Sequence, residues 1–151
     1  MRRLSGLIVA GALLMMAPTQ SAFAQAAQKT TFDGQMALWS FGIKPDQTAA
    51  YEQVVTKLKE ALAKSEKPEA KQMAAGWKVM KGVTNPATGH VIYTHVLYPV
   101  VKDADYTIMA IIYDTFKDPN DQKTVYELYR GAFGAALGAN VGTVVADFST
   151  P

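Results

Sequence analysis

The sequence predicts an α+β domain of order β-α-β-β-α-β, with a four-stranded antiparallel sheet and a second helical region that is split in two. Three observations carry this. Two uncharged apolar and aromatic runs, MALWSFGI (Met36–Ile43) and GHVIYTHVLYPVV (Gly89–Val101), have the length and composition of strands buried on both faces. Two other segments repeat apolar residues at helical spacing. Between the candidate strand Met73–Gly82 and the His-containing run lies Asn85-Pro86-Ala87-Thr88-Gly89, turn chemistry that joins neighbouring strands into a hairpin.

Taken in order, the first strand spans Met36–Ile43, bounded by Asp33-Gly34 and Lys44-Pro45. Asp46 offers a carboxylate to cap the helix that follows. In that helix Tyr51, Val54, Val55, Leu58 and Leu62 form one stripe, while Glu52, Lys57, Lys59, Glu60 and Lys64 take the other side, with Glu60 and Lys64 placed to pair. Pro68, within SEKPE (Ser65–Glu69), cannot continue it. The second strand is expected over Met73–Gly82, and the third is the His-containing run. Residues 103–116 fit a strand or a helix. Spacing of Ile108, Ile111, Ile112 and Thr115 favours helix, with Asp103 and Asp105 at its start. After the break at Asp118-Pro119-Asn120-Asp121 a helix is expected over 122–136, striped by Val125, Leu128, Tyr129 and Phe133. Gly134, Gly138 and Gly142 read as a turn region, and Val141–Phe148 as the last strand. This order is the split βαβ, ferredoxin-like arrangement.

The start of the chain reads as an export signal. Arg2 and Arg3 precede an apolar run, Leu7–Ala17, and Ala22-Phe23-Ala24 is a small-x-small cleavage pattern. The run is too short to span a membrane. The expected organisation is residues 1–24 as signal peptide with cleavage after Ala24, 25–34 as flexible lead-in, and 35–149 as a single α+β domain. The expected location is periplasmic or secreted, with no stable membrane anchor after processing. The 15 basic and 13 acidic residues then fall to 13 of each, because only Arg2 and Arg3 leave with the signal. A neutral chain without a basic cluster has little drive toward nucleic acid or anionic lipid. With no cysteine, thiolate catalysis, iron–sulfur clusters and Cys-type zinc sites are excluded.

Strand parity decides what the two histidines can do. His90, Ile92, Thr94, Val96 and Tyr98 share one face of the third strand, and Val91, Tyr93, His95 and Leu97 the other. His90 and His95 therefore cannot chelate one metal, and no metal site is expected. His90 follows Gly89 and reads as a solvated residue at the strand mouth. His95 has three readings: a general base, an axial haem ligand, or a core histidine bonded to a tyrosine or a backbone carbonyl. The catalytic candidates are His95 and Tyr93. Trp39, Phe41, Trp77, Tyr93, His95 and Tyr106 are the candidates for lining an apolar ligand pocket, with Tyr98 nearby. The glycines around Gly131–Gly134 form no phosphate loop, and Ser40, Ser65 and Ser149 occupy no nucleophile elbow. The pairs Asp103/Asp105 and Asp118/Asp121 read as helix caps.

Element order, Gly76-Trp77-Lys78-Val79, and Tyr98–Tyr106 (YPVVKDADY) followed by a helix together give a resemblance over roughly Gln35 to Phe148. The chain resembles the dimeric α/β-barrel superfamily, and within it exported bacterial proteins of unknown function. The resemblance implies a homodimer of two four-stranded sheets packed face to face. The expected role is binding of a small apolar or aromatic ligand without a cofactor. The alternatives are a cofactor-independent monooxygenase-like enzyme using His95 with Tyr93 and Trp77, and a haem-binding protein using His95.

Overall fold

The computed structural model describes residues 28–148. The signal-peptide reading of residues 1–24 lies outside them. Strand β1 (Met36–Ile43) is followed by a 3-10 turn (Pro45–Gln47) and helices α1 (Thr48–Lys64) and α2 (Pro68–Gly76). Strands β2 (Trp77–Thr84) and β3 (Val91–Leu97) form the hairpin, and helices α3 (Ile108–Thr115) and α4 (Pro119–Ala132) lead into β4 (Phe133–Gly142). All pairings are antiparallel and the sheet order is β2-β3-β1-β4. This is the ferredoxin-like α+β arrangement, with both helical regions split.

The helices cover one face of the sheet. Ala37, Phe41 and Ile43 of β1, and Tyr93, His95 and Leu97 of β3, are buried beneath Tyr51, Val54, Leu58, Ala61 and Leu62 of α1. The alternate residues point the other way. Leu38, Ser40, Ile92, Thr94, Val96 and Met80 remain partly or largely exposed, and Ser40 and Thr94 share a 2.9 Å hydrogen bond there. One-sided coverage follows from a connectivity that returns both helical segments to the same face.

Four local expectations are corrected. Met73–Gly76, expected in the second strand, closes α2 instead. Pro68 occupies the first turn of that helix, where its missing N–H costs nothing. An apolar Met-Ala-Ala-Gly stretch suits either structure, and buried Ala70 and Met73 decide for helix. The fourth strand is Phe133–Gly142, not Val141–Phe148. The glycines read as turn signals lie inside it, with Gly138 at φ +83° opposite the register shift between Trp39 and Phe41. An Ala- and Gly-rich strand has little intrinsic preference, so pairing with the central β1 determines it. Accordingly α4 stops at Ala132 rather than 136, and Phe133 opens the strand.

Caps and pairs are corrected as well. Asp46 lies in the 3-10 turn and caps neither it nor α1. Glu60 meets Lys57 at 3.4 Å, not Lys64. Asp103 sits at φ 60° in the loop before α3, and Asp105 accepts from the N–H groups of Thr107 and Thr30, tying that loop to the start of the described chain. Only Asp118 behaves as expected: it caps α4 by accepting from the N–H groups of Asn120 and Asp121.

Candidate functional site

Strand register aligns the candidate residues in rows across the helix-covered face. Trp39, His95 and Val79 form one row, and Phe41, Tyr93 and Lys81 the next. His95 is fully buried. Trp39 and Phe41 approach it edge-on, with ring centroids at 5.7 and 5.3 Å. Above it, the hydroxyl of Tyr51 lies 2.7 Å from Nε2, and from β2 the indole N–H of Trp77 donates to Nδ1 at 2.9 Å.

These two contacts fix the state of the imidazole. An indole N–H can only donate, so Nδ1 must carry a lone pair. The ring is then neutral with its proton on Nε2, and that proton is donated to the Tyr51 oxygen. Protonating Nδ1 would put two donors face to face. Burial acts in the same direction, and the His95 pKa is lowered from 6.5 to about 4. Tyr51 is held in its neutral form by burial, with its pKa raised.

His95 therefore lies within packed side chains, and both ring nitrogens are occupied. Sequence reasoning anticipated a tyrosine among its partners but did not find Tyr51, which sits 44 positions away on α1. The available signal was that Tyr51 is the one member of the α1 stripe with a polar tip. Of the other candidates, Phe41 and Tyr106 are buried in the core. Tyr106 packs on Trp77 at 5.3 Å and accepts the Val101 N–H. Trp39 and Trp77 are half-buried. Tyr98 stands apart, its hydroxyl donating to Asp147.

Two of the named residues reach open space. Trp77 walls a cleft of about 290 Å³ between α1, α2 and β2, completed by Val55, Leu58, Leu62, Ala74 and Val79, with Lys59 the sole charged group. Tyr93, buried through its ring, turns its hydroxyl to Glu52 at 2.6 Å and lines an adjoining depression of about 300 Å³. Lys81 meets the same Glu52 oxygen at 2.9 Å. These hydrogen bonds hold the Glu52 carboxyl below its usual pKa. A larger depression between α1 and α4 is lined mostly by polar side chains and touches none of the predicted pocket residues.

His90 is on the opposite side of the sheet from His95, as parity requires. It is half-buried rather than solvated, because its ring lies across two glycines. A Cβ on Gly134 would stand 2.7 Å from that ring, and one on Gly42 would stand 3.2 Å from the His90 Cβ. Among the described residues no three His, Cys, Asp or Glu side chains converge as a metal-holding group.

No protein-family model, curated protein or solved structure matches this chain.

Proposed function

We propose that this chain is an exported small-molecule-binding protein that acts as a homodimer and takes a small apolar or aromatic ligand in the cleft walled by Trp77. The observation that carries the reading is the cleft itself. Six apolar side chains and one ammonium line about 290 Å³, just under the roughly 300–1,000 Å³ typical of small-molecule sites. The Trp77 ring is fixed from behind by its bond to buried His95, so the wall is formed before a ligand arrives and little ordering entropy is spent on binding. Export rests on the basic start, apolar run and Ala-x-Ala pattern of the first 24 residues.

His95 acts in this reading as a positioning residue. Use as a general base, as a monooxygenase-like enzyme would require, needs a free nitrogen facing substrate. Haem ligation needs the same from Nε2. With full burial and both nitrogens bonded, either role would require Tyr51 or Trp77 to leave. The geometry thus favours binding over catalysis.

The homodimer is supported by the uncovered sheet face. Leu38 and Met80 are 37% and 55% exposed there, beside half-buried Ile92 and Val96. Four strands at ~4.8 Å spacing and seven or so residues at ~3.3 Å give a face of roughly 450 Å² in projection. Side-chain relief brings that toward the ~800 Å² per partner of a standard interface. A second copy packed on this face would bury it, which is the dimeric α/β-barrel arrangement.

The test of ligand binding is titration with N-phenyl-1-naphthylamine, a neutral apolar fluorophore. Saturable one-to-one enhancement, abolished by Ala74→Trp, is expected, since Ala74 is exposed on the cleft wall and a larger ring there fills the space. Enhancement that is absent, or unchanged by Ala74→Trp, contradicts the assignment.

A further inference from the structure

The Trp77 cleft and the depression at Tyr93 are not separate. Val55 of α1 and Val79 of β2 line both, so one groove runs between α1 and the edge strand β2. Its two ends differ in chemistry. One end is Leu58, Leu62, Ala74 and Trp77, with the Lys59 ammonium on its wall. The other is the trio of Glu52, Lys81 and Tyr93, in which Glu52 Oε1 accepts from both Tyr93 and Lys81.

The trio leaves a specific unmet capacity. Glu52 Oε2 has no protein partner among the described residues, and the Lys81 ammonium uses one of its three N–H groups on Glu52. An acceptor and a donor thus stand side by side at the groove's polar end. An incoming carboxylate would meet the ionised Glu52, and an incoming ammonium would meet Lys81. An uncharged hydroxyl satisfies both, donating to Glu52 and accepting from Lys81. The length of the ligand follows from the two walls. Glu52 to Leu62 on α1 spans about 15 Å at ~1.5 Å per residue, and Trp77 to Lys81 on β2 about 13 Å at ~3.3 Å per residue.

We infer that the groove takes an elongated, uncharged amphiphile, an alcohol with an apolar body, whose hydroxyl is read by Glu52 and Lys81 while the body lies along Val55, Val79, Leu58 and Trp77. This rests on the proposed cleft and adds the class of its ligand. The binding order is set by mismatch: a charged head of either sign meets one like charge of the pair, while a hydroxyl meets none.

The experiment is competition against N-phenyl-1-naphthylamine by 1-octanol, octanoate and octylamine. It uses the wild-type protein and the variants Glu52→Gln and Lys81→Met, each shown by thermal melting to be folded. Octanol is expected to displace the fluorophore at least about tenfold more effectively than either charged analogue. Glu52→Gln should lose most of the advantage over octanoate and Lys81→Met most of the advantage over octylamine, each read against that variant's own affinity for the fluorophore. Equal displacement by octanoate or octylamine, or an octanol preference that survives both variants, overturns the inference and leaves the cleft standing. Failure of the fluorophore to bind at all removes the cleft reading and this one together.

Discussion

Replacing His95 by glutamine separates what the imidazole does by shape from what it does by titration. Glutamine supplies an N–H toward Tyr51 and a carbonyl toward Trp77, yet carries no proton-accepting group near neutral pH. In the wild type the folded-state pKa is lowered to about 4 from 6.5 by burial. Above 6.5 both folded and unfolded chains hold a neutral imidazole, so the group imposes no pH dependence. As pH falls below 6.5 the unfolded chain takes up a proton that the folded chain refuses, and stability drops. The loss continues until the folded imidazole itself protonates near pH 4. A difference of about 2.5 pK units at 1.36 kcal/mol each makes about 3 kcal/mol, a large share of the roughly 5–15 kcal/mol that stabilises a typical domain. The assay is urea denaturation from pH 7.5 to 4, with the wild-type curve compared with that of His95→Gln. The variant is expected to be less stable at pH 7.5, by about 1–2 kcal/mol for imperfect packing, and then to meet and cross the wild-type curve as pH falls, because the wild type's loss of about 3 kcal/mol exceeds that deficit. Parallel profiles would refute the reasoning, as would an NMR titration placing the His95 pKa near 6.5.

Four further outcomes follow, the first from the His95 contacts and the others from packing elsewhere in the fold. Tyr51→Phe deletes the acceptor of the His95 Nε2 proton and leaves a buried donor unpaired, so unfolding free energy in urea should fall by about 1–3 kcal/mol. Gly134→Ala places a methyl 2.7 Å from the His90 ring and 2.9 Å from the Gly42 carbonyl oxygen, and should lower the thermal midpoint by several degrees, equivalent to about 1–3 kcal/mol. Gly131→Ala, in α4 with nothing within 4 Å, should instead be neutral or stabilising by up to about 1 kcal/mol. Leu38→Lys on the uncovered sheet face should shift the sedimentation mass from two chains to one without altering circular dichroism. Retention of the two-chain mass would move the proposed interface elsewhere.

The parts of the fold legible in the sequence are those where local periodicity and burial agree. β1, α1 and β3 carry uninterrupted apolar patterns, and parity along β3 separated His90 from His95 correctly. The misread parts are those decided by long-range pairing. Phe133–Gly142 is a strand because it lies against β1, and its Ala and Gly residues carry no β-branched alternation to announce it. The α2–β2 boundary lacks any loop: Gly76 ends the helix where an added Cβ would meet the Pro99 carbonyl oxygen at 2.8 Å, and Trp77 begins the strand. Within the site, the aromatic candidates were legible because few residues combine size with apolarity. Their division into core members and groove members was not. It depends on α1 standing over His95 while leaving Trp77 of the edge strand β2, and the hydroxyl of otherwise buried Tyr93, beside open space, a consequence of sheet order rather than of spacing. Glu52, read as part of the polar side of the first helix, and Lys81, inside the expected second strand, meet only because α1 crosses the sheet beside β2.

In the proposed binding cleft Trp77 faces the ligand and Trp39 does not. The most direct measurement is the ¹H–¹⁵N spectrum of the two indole N–H groups during titration with N-phenyl-1-naphthylamine. Trp77, on the cleft wall and bonded to His95, is expected to shift saturably, whereas Trp39, packed against Phe32, Phe41 and His95, should stay nearly still. Equal movement of both resonances, or of neither, would contradict the account.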